Sequence, residues 1–287
     1  MEEDFNLIEE ETSGFSVEEK LFLSQLNLPE DIFFYHAFEG KILFINKMGT
    51  NLLFINEFSE SYIVGVDLEE KVLSDKIWFS NTEIDAEQLI IVGSPLEALY
   101  YERIYHYDNA IYLCLHNTTS EDLNQLKSFI SKNFVDENIK IKICLQNTIK
   151  SFYKELKIIE ALTGEKFRFD SEQNVLCYTS QDIEKREQVK GFFLKIKETI
   201  NLNLIKNNFS LNEIVLLNVE DNKINLTFPN FDLFKKESRK IILSLSNSIN
   251  FLDTIEISRP PKTNVKNLFS WKIIHDIKFP REEKKKK

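Results

Sequence analysis

Polar residues directly follow the apolar runs in the middle of the chain, and these are the side chains best placed for chemistry: Ser94, His116, Asn117, Gln146 and Asn147. The runs before them are apolar throughout, which is typical of strands buried on both faces of a parallel sheet. Ligands of such sheets bind beyond the carboxyl ends of the strands. The spacing therefore predicts a rim of neutral polar groups that could bind a ligand, with plain loop capping as the alternative role.

The rim residues do not match the catalytic and metal-binding motifs considered below. A nucleophilic serine at Ser94 would need the Gly-x-Ser-x-Gly turn, and this chain has a glycine only before the serine, at Gly93. The four histidines include no pair with the i, i+4 spacing of a helical metal site, and the three cysteines form no CxxC pair. Glycine-rich phosphate loops are also missing. An enzyme of another kind that uses the rim stays an open alternative.

The elements that must position the rim alternate between strands and helices over residues 88–165. Buried strands are predicted at the apolar runs 88–92, 110–115 and 141–145. After the first run, Ser94 fits a helix N-cap, Pro95 fits the first helical position, and Glu97 fits the returning acid of a capping box. Strand–helix–strand–helix–strand with short links predicts a right-handed parallel βαβαβ unit and an α/β fold.

Two of the cysteines occupy matching places in near-repeated strands. Cys114 and Cys144 each precede a leucine, a polar residue and an asparagine. We therefore expect them at equivalent positions on neighbouring parallel strands, buried and unpaired. Cys177 also lies in an apolar run, so all three are predicted to be buried free thiols.

The regions on either side of this unit have different patterns. Residues 1–87 predict a helix opened by a capping box at Ser16 and Glu19, and then an antiparallel β region. In that region, similar apolar runs within residues 41–56 predict a β-hairpin, and residues 32–38 have strand character.

Residues 166–287 predict a C-terminal α+β elaboration that ends in a basic tail. A helix is expected over residues 182–206, further helix over 231–251, and a strand over 254–258. Whether this region forms a second lobe or extends the central sheet is open, and extension is the favoured interpretation.

The charge of the chain limits its partners. The net charge is −10 at pH 7, which disfavours a whole-surface nucleic-acid binder because DNA phosphates would repel it. The last residues, Lys284, Lys285, Lys286 and Lys287, are either a solvated tail or an arm for nucleic acid or an acidic partner. The acidic N-terminus and the lack of a run of about 20 apolar residues predict a cytoplasmic protein with no membrane partner.

Two segments of the central unit resemble a known family. The stretch Ile91-Val-Gly-Ser-Pro-Leu-Glu-Ala-Leu99 is similar to the first strand and helix of Toprim domains, and above all of the Toprim-like modules of mobilisation proteins on bacterial mobile elements. The third strand ends in Leu145-Gln-Asn-Thr148, where that family typically has Leu-Asp-Asn-Asp. Weaker similarity lies in Lys76-Ile-Trp-Phe-Ser80 and in the segment from Arg259 to Trp271.

The resemblance implies a degenerate site. Where the family has a glutamate and paired aspartates for Mg²⁺, this chain has Gly93, Gln146 and Thr148. Magnesium prefers anionic oxygen ligands, which these residues do not supply. The expectation is therefore a protein with no bound metal, no other cofactor and no catalytic residues of the Toprim type.

The function that follows is an inactive Toprim-like accessory or scaffold protein in nucleic-acid transactions of a mobile element. We expect a protein partner and at most weak nucleic-acid binding, and the sequence leaves the oligomeric state open. A partner-binding subunit with no nucleic-acid role is one alternative, and an enzyme that uses the rim is the other.

Overall fold

Three β-sheets, with helices packed against them, make up the part of the chain that the structure describes. The computed structural model describes residues 14–46, 49–56, 59–65, 67, 69–82, 86–107, 109–134, 139–146, 148–164, 166–206, 214–234, 237, 241, 255–258, 260 and 271–280. The architecture is mixed α/β, as the sequence predicts.

The bounds of the elements are as follows. The helices are α1 (Val17–Leu26), α2 (Pro95–Tyr105), α3 (Ser120–Asn133), α4 (Ile149–Thr163), α5 (Ile183–Lys206) and α6 (Trp271–Lys278). The strands are β1 (Ile42–Ile45), β2 (Asn51–Asn56), β3 (Ser59–Val64), β4 (Glu70–Val72), β5 (Trp78–Phe79), β6 (Gln88–Val92), β7 (Ala110–Cys114), β8 (Lys140–Cys144), β9 (Lys166–Asp170), β10 (Val175–Thr179), β11 (Leu216–Glu220), β12 (Lys223–Thr227) and β13 (Ile255–Ile257).

The central sheet has the order β13-β8-β6-β7-β5, and all its strands are parallel except β5. Successive residues of β6 point to opposite faces. Leu89 and Ile91 pack in the core that includes α3 and α4, whereas Ile90 and Val92 pack in the core that includes α2 and Trp271 of α6. Burial on both faces explains why this strand is apolar throughout, and the predicted βαβαβ unit is confirmed.

The prediction for the cysteines is wrong in two respects. Cys114 on β7 and Cys144 on β8 are fully buried and free, and both pair in register with Val92. However, β6 lies between their strands, so they are not neighbours. The repeated sequence specifies the register of each cysteine along its strand. It does not specify strand order, and β8 pairs with β6 on the side opposite to β7. Cys177 is only half-buried, so the prediction that all three thiols are buried is wrong for this one.

The N-terminal region confirms the helix and the hairpin but not the strand at 32–38. Ser16 caps α1 with the predicted capping box, and β1 pairs antiparallel with β2. Residues Glu30–Phe34 form a 3₁₀ turn instead of a strand. Pro29 followed by Glu30 and Asp31 is the local pattern of a helix start, and it outweighs the apolar character of the segment.

The C-terminal region both builds a separate sheet and extends the central one. Strands β9 to β12 form an antiparallel sheet of order β11-β12-β10-β9, which carries α5. The chain then returns, so that β13 pairs with β8 and α6 packs on α2, where Trp271 Nε1 donates to the Cys144 carbonyl at 2.9 Å. The predicted helix over 231–251 is described only at residues 231–234, 237 and 241, which are helical. Among the described helices, none is long and apolar enough to cross a membrane.

Thiol accessibility tests this arrangement. We expect a small maleimide to label Cys177 in the folded protein long before Cys114 and Cys144, because only Cys177 is partly exposed. Mass spectrometry of digested samples over time measures the order of labelling. Labelling of Cys114 or Cys144 as fast as Cys177 would contradict the buried positions, and urea-unfolded protein serves as the control in which all three react.

Candidate functional site

The candidate site lies beyond the carboxyl end of β6. The chain leaves β6 through α2 to β7 on one side and later reaches β8 on the other, so this end of β6 is a topological switch point, where α/β sheets bind ligands. A cleft of about 240 Å³ opens there. Its lining residues are Tyr62, Glu70, Val72, Gly93, Ser94, Glu97, His116, Leu145, Gln146, Thr148, Lys150, Ser151 and Lys154.

The start of α2 differs from the predicted capping box. Ser94 is the N-cap, and its Oγ accepts from the Glu97 amide at 3.3 Å, as expected. The Glu97 carboxylate, however, does not return to the cap. Glu70 of β4 takes that place, since its Oε1 accepts from the Leu96 amide at 3.3 Å and its carboxyl also bonds the Ser94 side chain. An acid from a distant strand therefore serves this helix N-terminus.

Glu97 instead turns towards the strand edge. Its Oε1 accepts a hydrogen bond from Gln146 Nε2 at 2.8 Å. Its Oε2 lies 3.1 Å from the position that a Cβ on Gly93 would occupy. Because Gly93 has no side chain, there is room beside it for the carboxylate of Glu97, which belongs to the first turn of α2.

The other two positions at which the resemblance implied carboxylates, Gln146 and Thr148, also make hydrogen bonds within the protein. Gln146 is committed to Glu97, and Thr148 is the N-cap of α4, where its Oγ1 accepts from the Ser151 amide at 3.1 Å. The hydroxyls of Thr148 and Ser151 are 2.9 Å apart. Gln146 and Thr148 therefore have structural roles at the edge of the cleft.

The rim is not neutral, and this corrects the sequence prediction. Glu97 is only 5% exposed, and its Oε2 is buried without a hydrogen-bond partner. Burial raises the pKa of Glu97 to about 7, and nearby Glu70 reinforces this, whereas the Gln146 hydrogen bond, the Gly93 backbone amide and Lys154 oppose it. Burial likewise raises the pKa of Glu70 to about 7. Two carboxyl groups that share a cleft and titrate near neutrality are typical of functional sites.

Basic groups lie on the other wall of the cleft. Lys154 of α4 donates to the backbone carbonyl of His116, and burial together with nearby Lys150 lowers the pKa of Lys154. Burial and the two lysines also lower the pKa of His116, whose ring packs edge-on to Tyr62 with centroids 6.2 Å apart. The surroundings of His116 therefore favour its neutral form.

The predicted rim residues are only partly brought together. Ser94, His116 and Gln146 share the main cleft, whereas Asn117 lines a second cleft of about 190 Å³ that has His116 in common with the first. Asn147 lies outside the described residues, as do the tail residues, Lys284 to Lys287.

Sequence reasoning missed the two acids and the lysine. Glu70 comes from β4 of the N-terminal sheet, and nothing local connects it with position 94. Glu97 carried a misleading signal, because an acid three residues after an N-cap serine usually completes a capping box. Lys154 lies one turn into α4, and its spacing from Lys150 on one helix face was the available clue.

Comparisons with protein-family models, curated proteins and solved structures find no match to this chain. The chemistry of the site therefore has to be argued from its own geometry. Over the described part of the chain, no group of three or more His, Cys, Asp or Glu side chains is arranged to hold a metal ion. What the cleft offers is a pair of acids on one wall and a pair of lysines on the other.

The Glu97→Gln variant tests the buried acid through stability. Because folding raises the Glu97 pKa from 4.5 to about 7, the native state binds the extra proton and loses stability as pH rises through that window. When the pH is raised from about 5 to about 8, the free energy of unfolding of wild type should therefore fall relative to that of the variant, by roughly 3 kcal/mol at most. Urea unfolding at both pH values measures this difference.

The matched control is Glu172→Gln, which neutralises an exposed acid in the turn after β9. We expect this control to follow the wild-type pH dependence closely. An E97Q protein with the same pH dependence as wild type would contradict the raised pKa of Glu97. Part of the dependence should persist in E97Q, because Glu70 titrates in the same range.

Proposed function

We propose that this chain is a Toprim-like binding module that performs no metal-dependent chemistry at its strand edge. The observation that supports this most directly is the use of the degenerate positions. The place of a side chain at Gly93 is filled by Glu97, Gln146 is bonded to Glu97, and Thr148 caps α4. None of the three positions supplies an anionic oxygen, and the hydrogen bonds of Gln146 and Thr148 stabilise the cleft.

The remaining acids are a poor donor set for Mg²⁺. One oxygen of Glu97 accepts from Gln146, and Glu70 accepts from the Leu96 amide. Both acids have a pKa of about 7, so each spends much of its time protonated at neutral pH. Lys154 adds positive charge on the opposite wall. Magnesium binds best to several ionised oxygens in octahedral arrangement, and these residues do not fit that requirement.

The proposed role is that of an accessory or scaffold protein in nucleic-acid transactions of a mobile element, and it rests on the resemblance of residues 91–99 and 145–148. The net charge of −10 opposes broad DNA binding, so protein contacts carry the proposed role. Exposed apolar side chains support such contacts: Leu202 and Ile205 on α5, and Leu216 and Val219 on β11, which is an edge strand. The same surfaces would serve a partner-binding subunit without any nucleic-acid role.

A second candidate function is favoured by the acid pair. Carboxyl groups with a pKa near 7 are suited to general acid–base catalysis at neutral pH, and both Glu70 and Glu97 meet this condition inside a cleft. An enzyme of this kind would work without a metal. Its activity would follow the ionisation of the pair and would be lost in E97Q.

Calorimetric titration with Mg²⁺ and with Mn²⁺ tests the metal-free proposal. We expect no stoichiometric binding with sub-millimolar affinity, because the donors are committed or protonated. Titration of the Gln146→Ala variant is a stricter test, because this substitution removes the hydrogen bond to Glu97 Oε1 without adding charge. Stoichiometric sub-millimolar binding by the wild-type protein that disappears in E97Q would overturn the proposal.

Nucleic-acid binding is tested with the tail. If Lys284 to Lys287 drive binding, the affinity for a short duplex should fall with salt along a log–log slope no steeper than about −3 to −4, because each phosphate contact releases about one counterion. Deletion of the last four residues should abolish this weak, sequence-independent binding. Binding that survives the deletion, or that hardly depends on salt in a fluorescence anisotropy assay, would contradict a role for the tail.

A further inference from the structure

We propose that the switch-point cleft binds a small zwitterion of the α-amino acid class, with its ammonium group on Glu97 and Glu70 and its carboxylate beside Lys150 and Lys154 at the N-terminus of α4. This inference rests on the proposed function, because it takes the cleft to be a binding site and names its ligand.

One oxygen on the acidic wall of the cleft makes no hydrogen bond of normal geometry. Glu97 Oε2 is buried and borders the space above Gly93, whose backbone amide is close enough to lower the pKa of the carboxyl, while the other oxygen of the same carboxylate accepts from Gln146. A buried acceptor without a donor is costly and rare in folded proteins. Glu70 lines the same cleft. An N–H donor that also carries positive charge would satisfy Glu97 Oε2 and neutralise the acid pair.

The basic wall has the opposite requirement. Helices α1, α2, α3 and α5 each carry an acidic residue in the first turn, which suits the positive end of the helix dipole, whereas α4 and α6 carry none. Instead, Lys150 occupies the second position of α4 and Lys154 follows one turn later, and both line the cleft. Lysines at a helix N-terminus are unfavourable unless an anion lies between them.

The volume limits the size of the ligand. A cleft of about 240 Å³ is smaller than the roughly 300–1,000 Å³ of pockets that hold drug-sized ligands. Its size therefore favours a ligand as small as a short amino acid over a nucleotide. Between the charged walls the lining includes the apolar side chains Val72 and Leu145 and the ring of Tyr62. These residues favour a ligand with a small apolar side chain.

Single charges do not match the cleft. An inorganic anion would answer the lysines but would leave Glu97 Oε2 without a donor. A cation alone would answer the acids but would add to the positive charge of Lys150 and Lys154. A small ligand that carries both charges satisfies both walls.

The test is a titration of the full chain with L-valine and with its two halves, isobutylamine and isovalerate. We expect valine to bind in a one-to-one ratio by calorimetry, and either half to bind at least about tenfold more weakly, since each charged hydrogen bond contributes about a factor of ten or more. Other small apolar amino acids are run beside valine to find the preferred side chain.

Two pairs of variants keep the test specific. E97Q and Lys150→Met should each weaken valine binding about tenfold or more, whereas the matched controls Glu172→Gln and Lys157→Met, an exposed site on α4, should leave it unchanged. Thermal unfolding confirms that all four variants are folded. Equal binding of valine and isovalerate, binding unaffected by E97Q, or no binding by any small amino acid in the millimolar range would overturn the inference.

The Mg²⁺ titration on the same preparations separates this inference from the proposed function. Absence of valine binding together with absence of Mg²⁺ binding overturns only the choice of ligand. Sub-millimolar Mg²⁺ binding overturns the proposed function, whether or not valine binds.

Discussion

The hydrogen bond from Gln146 to Glu97 is the contact on which the site depends. It joins the first turn of α2 to the end of β8, across the carboxyl end of the central strand β6. It also fixes one oxygen of a buried carboxylate, so that the other oxygen is held above Gly93. The open position at residue 93, the neutral amide at 146 and the displaced acid at 97 are therefore parts of one arrangement.

This arrangement lowers the stability of the folded protein. Burying two acids in one cleft disfavours their charged forms, and each pKa rises to about 7 as a result. An apolar filling of the same space would avoid that cost. Proteins tolerate such local penalties mainly at functional sites, where a polar group is kept ready for a ligand. The physical case for function therefore rests on Glu97 and Glu70, and Gly93 and Gln146 only explain how the Glu97 carboxylate is accommodated.

The sequence predicts the parts of the fold that depend on local pattern. Helix α1 has the bounds that its capping box implies, and strands β6, β7 and β8 lie at the apolar runs because both faces are covered by helices. The order of these strands was not predictable from the matching cysteines, since equal register does not specify which strands are neighbours. Strands β9 and β10 were missed although Lys166–Asp170 alternates polar and apolar residues, with Phe167 buried.

The site was less predictable than the fold, because its charges come from distant parts of the chain. Ser94, His116 and Gln146 were placed correctly at the strand ends by the parallel-sheet pattern. Glu70 reaches the cleft only through the pairing of β4 with β3 in the N-terminal sheet, and no spacing in the sequence encodes that approach. Glu97 was visible, but its direction depends on Gly93 and Gln146, which are contacts across the sheet edge.

The central claim is that the Glu97 carboxyl is buried at the strand edge and shares its environment with Glu70. Carbon-13 NMR of the glutamate side-chain carboxyls across a pH titration tests it most directly, with the Glu97 signal assigned from its loss in E97Q. The account predicts a midpoint of about 7 for Glu97, well above the ordinary value of 4.5. A midpoint at that ordinary value would contradict the account, because a carboxyl that titrates like a solvated acid is not buried.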